Sequence, residues 1–117
     1  VEAGLAMMDR FDFDSVLFPI NFVCYAQGNF GPQVVERAKE KGVARLGLKA
    51  LARGPWPKGV EHTYSKRWYR PFDDPEAAMQ ALRFSLSEDV TAIVPPGDER
   101  LYRLTLDLAG SLEPLGP

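Results

Sequence analysis

Apolar positions along this chain alternate between helical and strand-like spacing, and prolines and glycines divide the segments. Val1, Leu5 and Met8 lie three and four apart, so residues 1–10 read as the second half of an amphipathic helix, belonging either to a larger domain that starts upstream or to a chain with a processed or trimmed start. The run 14–22 is short, apolar and bounded by Asp and Asn, which predicts a buried strand with Pro19 near its C-terminal end. A loop over 27–32 leads to Pro32, placed to start a helix over about 32–41. Its inward face is Val34, Val35 and Ala38, and Gly42 is its C-terminal cap. Residues 43–50 follow at once as a second buried strand. Residues 53–73 hold both tryptophans, two tyrosines and three prolines, and read as a long structureless connection of the kind used as a lid or binding loop. Asp74-Pro75-Glu76 then caps a helix running to about 87, striped by Ala78, Met79, Leu82 and Leu86. A third strand, 90–94, closes at Pro95-Pro96-Gly97, and Asp98 begins a last helix carrying Leu101, Leu104, Leu108 and Leu112.

Strands joined through helices pair in parallel, so the order predicts an α/β fold over 1–117 as one unit without repeat or linker. A free three-stranded arc would leave two unpaired edges and one uncovered side. The expectation is therefore a partial (β/α)8 barrel, its last three parallel strands with their helices, a little under half of the roughly 250 residues such a barrel needs.

Composition removes several functions. With 45% hydrophobic and 26% charged residues the chain is not disordered. Fourteen Lys+Arg against sixteen Asp+Glu leave no excess to neutralise a nucleic-acid backbone. No apolar run is long enough to cross a bilayer as a helix. One cysteine, Cys24, and one histidine, His62, leave almost nothing for a metal site and suit a reducing, cytoplasmic compartment.

In a barrel, chemistry sits at the C-terminal strand ends. These are Asn21, the segment 49–54, and the turn 95–97 with Arg100. Asn21 can bind an amide or close its own turn. Lys49 interrupts an apolar strand where it emerges, and can meet a phosphate or carboxylate, or pair structurally. Pro95-Pro96-Gly97 before a helix N-terminus resembles a phosphate seat to which Arg100 could add a bidentate contact. Trp56, Tyr64, Trp68 and Tyr69 either wall a ligand or anchor the loop. His62 has no visible catalytic partner, and Cys24 reads as a small apolar filler.

Three segments, in order, resemble the C-terminal portion of a bacterial aldo/keto reductase. They are Phe13-Asp14-Ser15-Val16-Leu17-Phe18-Pro19-Ile20-Asn21 for the sixth strand, Lys41 through Gly54 for the seventh, and Ala81-Leu82-Arg83-Phe84-Ser85-Leu86-Ser87 with Val90-Thr91-Ala92-Ile93-Val94-Pro95-Pro96-Gly97 for the seventh helix and eighth strand. The resemblance implies NADP-linked reduction of a small-molecule carbonyl to an alcohol, with hydride supplied by the cofactor. It implies cofactor contacts at Asn21, Lys49, Ala50, Leu51, Arg53, Pro95, Pro96, Gly97 and Arg100. The family's catalytic tyrosine, lysine, aspartate and histidine belong to the N-terminal portion of the barrel, so this chain carries no catalytic residue and needs that portion as its partner. Leu48 stands where the family usually stacks an aromatic on the nicotinamide, and Leu17 where it often has glutamine. Two other readings stay open: a non-catalytic barrel used for binding or regulation, and an unrelated small α/β domain that dimerises over its edges.

Overall fold

A computed structural model describes residues 1–28 and 30–113. Three strands, β1 (Ser15–Pro19), β2 (Ala44–Leu48) and β3 (Ala92–Ile93), form a parallel sheet in the order β1-β2-β3. The register sets Leu17 beside Leu46 and Leu46 beside Ala92, while Phe18, Gly47 and Ile93 share the other face. Helix α1 (Glu2–Arg10) precedes β1, α2 (Phe22–Gly28) and α3 (Pro32–Glu40) cross to β2, α4 (Pro75–Ser87) leads to β3, and α5 (Glu99–Ala109) follows it.

The strands are shorter than the apolar runs that announced them. Pro19 ends β1, because it has no N–H to give the ladder. Two corrections concern the connections. Phe22–Gly28 is a helix, not the tail of a strand, because Asn21 caps it: Asn21 Oδ1 accepts from Cys24 N at 2.9 Å. The expected loop therefore shortens, and its Asn29 lies outside the described residues. The long connection 53–73 is not structureless either. Ala52–Pro55 and Tyr69–Pro71 pair antiparallel with an irregular register, a hairpin that begins one residue before the expected loop.

The helix caps follow the sequence closely. Asp74 accepts from Ala77 N, with Pro75 opening α4. Gly42 follows α3 at φ 68°, and Val43 N closes back on Ala38 O at 2.8 Å.

Two apolar clusters hold the layers. Met8, Val34, Ala38 and Val43 join α1, α3 and the start of β2, with Val1, Leu5, Phe13, Val16 and Phe18 against them. Ala50, Leu51, Tyr64, Ala78, Ala81, Leu82 and Leu101 join the end of β2 to α4 and α5, with Ile93, Leu104, Leu108 and Leu112 at their flank. Both clusters draw on the Phe18/Ile93 face of the sheet. The opposite face is left open among the described residues: Leu17 is 55% exposed, and Ala92 and Val94 are exposed too. Both outer edges, β1 and β3, also lack a neighbouring strand among those residues. No helix of the described residues is long and apolar enough to cross a membrane.

Tyr25 on α2 packs edge-on to Phe84 of α4, and its hydroxyl is buried beside the Glu88 carboxylate. Burial first, then the Glu88 carboxylate, pushes its pKa up to about 12. The folded state thus keeps a proton that the unfolded chain releases near pH 10, so stability falls as pH rises from about 10 towards 12. Tyr25→Phe is expected to remove that alkaline loss and to cost about 1 kcal/mol at most at pH 7, the size of the hydroxyl's one contact with Glu88. Urea melts of both proteins at pH 7 and pH 11 check it; equal alkaline losses would refute the assignment.

Candidate functional site

The C-terminal ends of β1 and β2 are pinned by a set of buried polar bonds. Ile20 N donates to Leu48 O at 3.1 Å, and Ile20 O accepts from the buried Ser85 hydroxyl of α4 at 2.7 Å. Asn21 is only 1% exposed; besides capping α2 it donates from Nδ2 to Lys49 O at 3.1 Å. Lys49 O also accepts from Ala52 N at 3.0 Å. These bonds hold the lysine at φ 59°, and among the described residues it is the one non-glycine with a positive φ. A left-handed lysine costs energy that the surroundings must offset, and such residues cluster at ligand sites.

Lys49 lines a cleft of about 370 Å³ with Pro19, Asn21, Cys24, Phe30 and Trp68 among its other walls. That volume lies within the range of small-ligand sites, and the walls have the apolar character such sites share. The Lys49 ammonium sits 4.6 Å from the Trp68 ring centroid. Trp68 also meets Tyr69 edge-on, with ring centroids 5.4 Å apart. Cys24 is a free, half-buried thiol in the wall.

The nine residues expected at the strand ends divide into groups. Asn21 and Lys49 meet in the cleft. Ala50 and Leu51 are buried in the core behind it, so their side chains pack rather than face a ligand. Arg53 is exposed, its guanidinium 5.9 Å from the Phe72 ring. Pro95 borders a separate hollow between α4 and α5, and Pro96 is buried. Arg100 pairs with Asp98 at 3.2 Å and lies 4.3 Å from the Tyr64 ring, so its fork is already engaged. Asp98 spends its side chain as the N-cap of α5, accepting from Arg100 N at 3.0 Å, and its carboxyl is held below the ordinary carboxylate range by the Arg100 guanidinium.

The aromatic set also splits. Trp56 Nε1 donates to Arg67 O at 2.9 Å and Tyr64 OH donates to Asp73 at 3.1 Å, so these two anchor the hairpin. His62 lies exposed, stacked on Trp56. Trp68 and Tyr69 instead wall the cleft. One residue escaped the sequence reading: Arg67 reaches from the hairpin to the turn before α5, where a Cβ on Gly97 would lie 3.4 Å from its Nη2. Its Nε and Nη2 are buried without hydrogen-bond partners, and Nη1 reaches Tyr69 OH at 3.4 Å. Thus Arg67 bridges the exits of β2 and β3, a placement that one arginine among several in a loop does not advertise.

No family model, curated protein or solved structure matches this chain.

Proposed function

We propose that this chain forms the last three staves of a (β/α)8 barrel, an aldo/keto reductase that uses NADPH to reduce a small-molecule carbonyl to an alcohol. One observation carries the reading: a parallel sheet covered by helices on one face, with the other apolar face and both edges open among the described residues. All-parallel sheets are stable when both faces are covered. A closed barrel satisfies that by turning the Leu17, Leu46 and Ala92 face inward and pairing β1 and β3 with further parallel strands. The cleft at the C-terminal ends of β1 and β2 is where such a barrel places its ligand.

On this reading the dinucleotide lies over the mouth of the cleft, and NADPH supplies the hydride. Lys49 offers its ammonium to a cofactor phosphate, while Asn21 keeps the lysine backbone in place. The tyrosine that protonates the carbonyl oxygen and the groups that tune it come from the N-terminal staves. The sequence segments that resemble the reductases support the same assignment, as does the lone thiol, which suits a reducing cytoplasm.

NADPH titrated into the complete protein, followed by the cofactor's own fluorescence, tests this. Lys49→Ala is expected to weaken NADPH by about tenfold, the size of one lost charge-assisted contact. Unchanged affinity removes Lys49 from the site, and no binding by the parent protein removes the assignment.

A further inference from the structure

Trp68 stands out among the exposed residues. It is 71% exposed, the most open of the large hydrophobic side chains described, yet it belongs to the wall of an apolar cleft. A large indole left in water beside a cavity is an unused contact surface. It is also held in place: Tyr69, itself buried, braces it edge-on, and Tyr69 belongs to the strand that pairs with Ala52–Pro55. The Lys49 ammonium rests against the same ring, on a backbone fixed in the left-handed region. A cation placed next to an open aromatic surface matches one kind of ligand, a planar ring with an anionic group a few bonds away.

We infer that Trp68 and Lys49 act as one recognition unit, the indole stacking a planar nitrogen heterocycle of the ligand while the ammonium turns from the indole to the neighbouring phosphate. This rests on the cofactor reading above and sharpens it. The ring-binding aromatic comes from the hairpin that follows β2 rather than from the strand itself, whose last residue is Leu48. The lysine–indole contact is the resting state of the pair. In it the ammonium lies 4.6 Å from the ring centroid and stays at the wall of the cleft. Phe30 and Pro19 line the same cleft and add apolar wall beside the indole.

The experiment uses the complete protein with three probes: NADPH, nicotinamide mononucleotide and adenosine 2′,5′-bisphosphate. Each is measured by calorimetry against the parent, Trp68→Phe, Trp68→Ala and Lys49→Ala. Trp68→Ala is expected to weaken NADPH by about tenfold, and Trp68→Phe by about twofold at most, because one stacked ring is lost in the first and kept in the second. The mononucleotide whose affinity falls in Trp68→Ala identifies the ring that stacks, nicotinamide or adenine, and either supports the inference. Because Trp68 is largely exposed, its removal leaves the core intact, which an unchanged melting temperature checks. If Trp68→Ala binds all three probes as the parent does while Lys49→Ala weakens NADPH, the stacking role is refuted and the cofactor reading stands. If the parent binds none of them, both fail.

Discussion

Asn21→Leu is expected to destabilise the fold by about 2–4 kcal/mol and to weaken ligand binding as well. The first part follows from two bonds lost at a buried position. The helix cap on Cys24 N is worth about 1 kcal/mol, and losing one of the two donors to Lys49 O, together with fitting a bulkier side chain at a buried position, costs about 1–3 kcal/mol more. The second part follows from position. Asn21 Nδ2 is the side-chain donor that fixes the carbonyl of a lysine held at φ 59°, so its loss lets the turn relax toward ordinary backbone geometry and moves the ammonium. Asn21→Asp isolates the bond to Lys49 O. It keeps the acceptor that caps α2 but turns an oxygen toward Lys49 O, and the buried charge makes the stability loss fall sharply as pH drops and the carboxyl protonates, while Asn21→Leu shows no such pH dependence. Urea denaturation together with cofactor titration measures both parts. If Asn21→Leu costs under about 0.5 kcal/mol, the size of an ordinary surface change, the buried asparagine does not hold the site.

Gly31→Ala should be the most damaging glycine-to-alanine change among the described residues, at about 3 kcal/mol or more. Gly31 precedes α3 at φ 137°, where side chains are strained, and a Cβ there would overlap the Tyr25 ring. The ring cannot retreat freely, because Phe84 faces it edge-on. Gly42→Ala is the internal control. Gly42 also has positive φ, at 68°, but nothing lies within 4 Å of its added carbon, so only the backbone cost of about 1 kcal/mol applies. Chemical denaturation of the pair gives the answer. Equal losses would mean that the contact between α2 and the start of α3 is loose.

The α/β order and the parallel sheet were legible because each element carries its own local signals. Pro75 after Asp74 and Gly42 after α3 are examples, and the leucine stripe from Leu101 to Leu112 packs inward as its spacing predicts. Helix α2 was not legible. Phe22 read as the end of the apolar strand and 23–26 carried no signal of their own, and only the tertiary fit of Asn21 into the β2 exit makes the segment a capped helix. The hairpin was hidden for a related reason. Prolines and glycines across 53–73 signal breaks, whereas Ala52–Pro55 and Tyr69–Pro71 form a short, irregular ladder held by Tyr69 and by anchors such as Trp56. Of the candidate site, Lys49 and Asn21 stood out because a polar residue at the end of an apolar strand is conspicuous. Arg100 stood out equally, but its local pairing with Asp98 is decided by α5's first turn, and the sequence alone did not weigh that pairing against a ligand. The division of labour among the aromatics depends on which ring faces the cleft, a property of the folded hairpin.

The barrel assignment is tested most directly by hydrogen exchange at the Leu17 amide, compared between the complete protein and the 117-residue chain made alone. Ile20 N donates toward β2, so Leu17 N–H, of opposite parity, points to the open edge of β1. The account predicts strong protection in the complete protein, where a further parallel strand accepts that hydrogen bond, and rapid exchange in the chain alone. Rapid exchange in both would contradict it.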